Sequence, residues 1–141
     1  MNQSKNILAI VERLKNAEGP LLPILHDVQA EFGHISEDAI REIAGLLNLT
    51  RAEVYGVVSF YHDFRKEAED RPALKLCRAE ACKARGVEQL VGVMETAAGD
   101  RVKIEPVYCL GLCSVGPAAM VGGKVYARLT KEKAAKLVAE L

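Results

Sequence analysis

The residues of this chain best suited to chemistry are its four cysteines, which fall into two pairs. Cys77 and Cys82 have four residues between them, Cys109 and Cys113 have three, and 26 residues separate the pairs. Thiolates so placed bind a metal ion, hold an iron–sulfur centre or exchange electrons as redox pairs. Zinc ribbons generally use two tight C-x-x-C turns, and neither pair has that spacing. A [2Fe-2S] cluster has two irons, each needing two thiolates, so two wider pairs satisfy it without remainder. The spacing favours that cluster on Cys77, Cys82, Cys109 and Cys113. A zinc-stabilised adaptor and a thiol oxidoreductase are the competing classes, the latter weakened by the absence of C-x-x-C.

The neighbouring residues fit a negatively charged guest. Four thiolates give an oxidised [2Fe-2S] core a net charge of about −2 and a reduced one about −3, and Lys75, Arg78, Lys83 and Arg85 surround the first pair in sequence. Gly86, Gly111 and Gly116 allow close backbone approach. Cys82 precedes a predicted helix whose free N–H groups are placed to donate to sulfur. His26, His34 and His62 form no ligand set with the cysteines, so surface or capping roles are expected and no catalytic histidine is assigned.

Two kinds of periodicity position these residues. The first half reads as helices. Ile7, Ile10, Val11 and Leu14 give a helix over about 5–17, with Ser4 as its cap and Gly19-Pro20 as its stop. Leu21, Leu25, Val28 and Phe32 mark a second helix, closed by Gly33. Ser36 caps a third, whose buried face is Ile40, Ile43, Ala44 and Leu47. Thr50 and Glu53 form a capping-box pattern, and Leu49 and Val54 stand at hydrophobic-staple positions, so a fourth helix starts at Arg51. Its body, VYGVVSFYHDF, has the β-branched and aromatic content of a strand, and the cap decides for helix. The charged segment RKEAEDRP, 65–72, is the expected boundary between subdomains 1–72 and 73–141.

Beyond it the period changes. Leu74 and Leu76 alternate up to Cys77, Val87 to Met94 give a helix face, and Val102, Ile104 and Tyr108 alternate up to Cys109. Strands over 118–121 and 124–128 flank the Gly122-Gly123 turn, and Thr130 caps a last helix bearing Ala134, Leu137, Val138 and Leu141. The expected fold is α+β, a helical bundle followed by a small thioredoxin-like sheet. Parallel strands joined by a helix bring both cysteine pairs to one sheet edge.

Composition limits the partners. Of 141 residues half are hydrophobic, enough for a core without staples. Nineteen Lys and Arg balance nineteen Asp and Glu, which excludes the basic footprint of a nucleic-acid or anionic-lipid binder. The balance is uneven along the chain, with 8 basic and 12 acidic side chains in 1–72 against 11 and 7 in 73–141. Apolar runs such as 21–25 are far shorter than the roughly 20 residues of a membrane span, and no leader pattern is present. The expected location is cytoplasmic, where disulfides are disfavoured and metal or redox roles for the cysteines lead.

With these motifs in view the chain resembles the small thioredoxin-like [2Fe-2S] subunit family of NADH:quinone oxidoreductase. The resemblance rests on VVSFY at 57–61, Cys77-x4-Cys82 followed by Gly86, Cys109-Leu-Gly-x-Cys113 with Pro117 four residues on, and Leu129-Thr130 before the last helix. It covers nearly the whole chain. Within the family, CRAEAC at 77–82, CLGLCSVGP at 109–117 and the short stretch between them are most similar to the gamma subunit of soluble formate dehydrogenases. Respiratory members usually carry an alanine where this chain has Gly116.

The resemblance implies an electron-transfer subunit that is not catalytic alone, with Cys77 and Cys82 on one iron and Cys109 and Cys113 on the other. It implies a flavin/NAD-binding partner and a formate-oxidising partner, which carry FMN, NAD and a molybdenum or tungsten cofactor. The equivalent subunit of a respiratory NADH:quinone oxidoreductase or of an NAD-reducing hydrogenase is the alternative. Phe60, Tyr61 and Phe64 stand as an interface with the flavin subunit or as core. Pro117 matches the cis-proline position of thioredoxin-like folds, with an ordinary trans loop proline as the default.

Overall fold

The computed structural model describes residues 2–141 and divides into two compact units, one ending at Glu69 and one beginning at Asp70. The first unit is four helices, α1 (Asn2–Leu14), α2 (Leu21–Phe32), α3 (Glu37–Leu47) and α4 (Arg51–Phe60). α1 begins three residues earlier and ends three earlier than its periodicity predicts. Ala17 N–H bonds back to Leu14 in a tight turn that closes the helix, and Ser4, inside α1 rather than capping it, donates to Glu42 on α3. α2 accepts Pro23 in its first turn, where N–H groups have no helical partner anyway. It ends at Gly33 in the left-handed conformation, φ 76°, which glycine adopts without a Cβ clash.

Side-chain caps fix the next two starts. Ser36 Oγ accepts from Ala39 N–H. Thr50 Oγ1 accepts from Glu53 N–H at 3.2 Å while Glu53 Oε2 accepts from Thr50 N–H at 2.7 Å, so both halves of the capping box are made and α4 is a helix despite its β-branched body. Gln29 then pins the segment after α4, donating to Asp63 C=O and accepting from Arg65 N–H. The core of this unit is aliphatic, with Ile7, Ile24, Leu25, Ile35, Ile40 and Ile43 almost wholly buried.

The second unit runs β1 (Ala73–Cys77), α5 (Glu80–Ala84), α6 (Glu88–Ala98), β2 (Lys103–Val107), a 3-10 turn (Cys113–Val115), β3 (Ala119–Val121), β4 (Lys124–Tyr126) and α7 (Lys131–Ala139). The sheet order is β2-β1-β3-β4, with β1 parallel to β2 and antiparallel to β3, and β3 antiparallel to β4. Gly122 and Gly123 both have positive φ, as a two-residue hairpin turn requires. α6 and α7 pack on each other, and Leu74, Leu76, Met94 and Val138 lie in the core.

Three elements differ from the sequence pattern. A short helix, α5, intervenes before α6 and contains Cys82. β2 stops at Val107, and Tyr108, 71% exposed, turns outward before Cys109, whose φ is 89°. β4 stops at Tyr126, because Arg128 takes a left-handed φ of 50° and gives its N–H to Val115 C=O.

Candidate metal centre

Register places the cysteines. β1 and β2 run parallel from Ala73 opposite Lys103 to Cys77 opposite Val107, so both strands end level and release their following loops at the same sheet edge. β3 enters antiparallel from that edge, with Ala119 opposite Leu76. Three segments therefore meet there: Cys77 to α5, 108–115, and Gly116-Pro117-Ala118. The Gly116–Pro117 peptide is cis, so the trans default does not hold. Cys77 N–H donates to Ala118 C=O at 2.9 Å and Arg78 N–H to Val107 C=O at 2.8 Å, tying the segments to one another.

The four sulfurs stand as two pairs. Cys109 Sγ and Cys113 Sγ are 3.6 Å apart and exposed. Cys77 and Cys82 are buried and hydrogen-bonded to each other. Two thiolates about 2.3 Å from one tetrahedral metal stand about 3.7 Å apart, so the exposed pair already has the spacing of two ligands on a single centre. Among the described residues no three of His, Cys, Asp and Glu gather to hold one metal ion. Two sulfurs on each of two metal atoms fit a donor set arranged as these two pairs.

Backbone donors point at the same sulfurs. Burial pushes the Cys77 thiol up, but N–H groups of Ala79, Cys109 and Leu110, with the hydrogen bond from the Cys82 thiol, outweigh it and bring Cys77 below the ordinary thiol range. Those donors come from both loops, which shows the two cysteine segments in direct contact. Cys82 is pushed up by burial and by the Cys77 and Cys113 sulfurs, against the Ala118 N–H, which favours its thiolate. Cys113 is raised by its contact with Cys109. Gly111, at φ 75°, brings its N–H to 3.4 Å from Cys109 Sγ. The donor to Cys82 is thus Ala118, beside Pro117, whereas the sequence points to the helix that follows; Cys82 lies inside α5, ahead of α6.

The basic sleeve expected around the first pair is mostly engaged elsewhere. Arg78 forms a two-pronged pair with Glu88, at 3.0 and 2.6 Å, and Lys83 lies 3.6 Å from Glu80. Lys75 also has a partner. Glu88 carries no sequence signal for its pairing beyond its charge, whereas Glu80 stands three residues before Lys83 on the same helix, the spacing of surface neighbours. The histidines all lie in the helical unit. His26 stacks on Phe64 at 4.9 Å between ring centroids, and His34 Nδ1 is 3.1 Å from Phe32 C=O. The aromatic trio divides, with Phe64 buried and Phe60 and Tyr61 exposed by 73% and 43% in an edge-to-face pair. Among the described residues no helix is long and apolar enough to cross a membrane.

Comparison with known proteins gives a consistent result. The profile of the family described as thioredoxin-like [2Fe-2S] ferredoxin matches residues 7–141. The subunit HndA of an NADP-reducing hydrogenase from Solidesulfovibrio fructosivorans is 30% identical over 96% of this chain and 85% of its own length. An NADH-quinone oxidoreductase subunit from Aquifex aeolicus is 31% identical over 75% of this chain and 72% of its own. Among solved structures, an air-oxidised NAD+-reducing [NiFe]-hydrogenase superposes with a TM-score of 0.73 at 25% identity, over 92% of this chain. The chain spans about a quarter of that hydrogenase chain, 24% of its length.

Proposed function

We propose an electron-transfer role from the premise that this chain belongs to the thioredoxin-like [2Fe-2S] ferredoxin family, whose profile spans 7–141. The observation that carries the reading is the pairing of the thiols: Cys77 with Cys82, buried, and Cys109 with Cys113 at 3.6 Å, brought to one sheet edge by the register of β1 and β2. Cys77 and Cys82 hold one iron and Cys109 and Cys113 the other. When bound, the cluster takes up and returns one electron.

The chain's own groups serve that exchange. Ala79, Cys109 and Leu110 turn N–H groups toward Cys77, and Ala118 and Gly111 do so at Cys82 and Cys109, which favours thiolate and accommodates added negative charge. The first pair is screened by the core and the second faces outward, so electrons enter and leave through the Cys109–Cys113 side.

The assembly around it is the finer part of the proposal. Residues 73–141 carry the cluster, and the acidic helical part, 1–72, docks on a flavin/NAD-binding subunit, with Phe60 and Tyr61 as exposed contact groups. The CRAEAC and CLGLCSVGP segments support a formate dehydrogenase as parent, with a formate-oxidising subunit carrying molybdenum or tungsten. The hydrogenase relatives favour a second reading, an NAD- or NADP-linked hydrogenase. Anaerobic purification of the tagged chain from its native cells separates them. Co-purifying flavin subunit with formate-dependent NAD reduction supports the first, and hydrogen-dependent reduction the second. A chain that emerges alone and colourless contradicts both.

A further inference from the structure

Gly116 has no conformational need to be glycine. Its φ of −63° and ψ of 168° are extended backbone open to most residues. Its surroundings are the constraint: a Cβ built there lies 3.0 Å from Cys82 Sγ and 3.3 Å from Arg85 Cδ. At each of the other ten glycines the same atom meets nothing within 4 Å. The missing side chain therefore keeps open a gap shared by a buried cysteine sulfur and the stem of one arginine.

That arginine is the exception in its group. Arg78 is held by Glu88, Lys83 by Glu80, and Lys75 is engaged too, whereas Arg85 has no acidic partner among the described residues. Cys82 is likewise the exception of the buried pair. Burial and the neighbouring Cys77 and Cys113 sulfurs push its thiol up, whereas backbone donors bring that of Cys77 down. A buried sulfur and the stem of an arginine without an acidic partner thus flank one point, and adding an electron to the site makes it about one unit more negative.

Resting on the [2Fe-2S] reading above, we propose that Gly116 is a spacing residue that lets Arg85 lie against Cys82, and that Arg85 is a positioning residue whose cation raises the reduction potential of the cluster. Arg85 is exposed, so its field acts through a high effective dielectric and the effect is moderate.

The test is a dithionite titration of the full-length loaded protein, followed by EPR, after iron and sulfide analysis. At the wild-type midpoint, Arg85→Gln is expected to lower the ratio of reduced to oxidised cluster about threefold, a shift of about 30 mV for a one-electron couple. Arg85→Glu moves it further the same way, and Arg85→Lys holds the wild-type midpoint, a dependence on charge that a packing role does not produce. Gly116→Ala, with its iron retained, lowers the midpoint and changes the g values as the methyl displaces the sulfur or the arginine stem. Unchanged midpoints in both Arg85→Gln and Arg85→Glu overturn the role of Arg85, and an unchanged spectrum and midpoint in Gly116→Ala overturn that of Gly116. Wild-type chain that takes up no iron contradicts the cluster reading itself, and this inference with it.

Discussion

The helical unit and the sheet unit bury different materials. The first fills its interior with Ile7, Ile24, Leu25, Val28, Ile35, Ile40 and Ile43. Each such side chain contributes about 1.5–3 kcal/mol by leaving water, with nothing further to bind. The second buries Leu74, Leu76, Val87 and Met94 in the same way, but gives two buried positions at its sheet edge to Cys77 and Cys82. A thiol contributes less by burial than a large aliphatic group and more when it ligates. One unit is therefore complete in its own side chains, whereas the other, on the function proposed above, is expected to draw part of its stability from what its sulfurs hold.

Serine at the cysteines tests this contrast most severely. Cys77→Ser or Cys82→Ser is expected to lose the cluster and to destabilise the metal-free chain as well, by about 1–3 kcal/mol, because a hydroxyl replaces a buried sulfur. Cys109→Ser or Cys113→Ser is expected to lose the cluster with little effect on the metal-free fold, since both side chains are exposed. Iron analysis with denaturant unfolding of the apo variants checks both. Equal destabilisation at all four positions breaks the distinction.

The converse change lies in the helical unit. Leu25→Ala removes a wholly buried side chain and is expected to cost about 2–5 kcal/mol, while protein that remains folded keeps its full iron content. Loss of iron in proportion to lost stability shows that the units are not separable in this sense. Hydrogen exchange sharpens the same point. Apo protein is expected to lose protection over 77–117 and to keep it in α2 and α3, because loop-borne ligands order on metal binding. Equal protection with and without metal means that the sheet edge is rigid by itself.

Much of this contrast is legible in the sequence, for local reasons. Ser36, Thr50 and Glu53 act on N–H groups within three residues, so the starts of α3 and α4 follow from short patterns. Gly33 and the Gly122-Gly123 turn likewise answer to backbone conformation alone. The convergence of the cysteine pairs follows from strand–helix–strand topology. The rest depends on partners distant along the chain. Nothing near Cys82 in sequence reveals that its N–H donor is Ala118, nor that Glu88 reaches across α5 to Arg78. Tyr108 fits the alternation of β2, yet the left-handed turn at Cys109 carries it outward. Gly116 reads as a turn residue until the atoms on either side of it are placed.

The smallest expected effect concerns the cap of α4. Thr50 N–H and hydroxyl hold the Glu53 carboxyl below the usual carboxylate range. A lowered folded-state value stabilises the helix start above that range, and the contribution disappears as pH falls through the lowered value. Thr50→Ala is expected to cost about 1 kcal/mol, read by denaturant unfolding, and to move the Glu53 carboxyl only part of the way back toward its ordinary value, read by carboxylate NMR, because the backbone N–H of residue 50 remains as a donor. Neither change should alter iron content.

The central claim is that two pairs of cysteines hold a two-iron cluster. Anaerobically purified full-length chain, assayed for iron, acid-labile sulfide and zinc and then reduced for EPR, tests it most directly. The account predicts a red-brown protein with two iron and two sulfide per chain and a spin-half signal only after reduction by one electron. A colourless protein with one zinc per chain and no labile sulfide would contradict it.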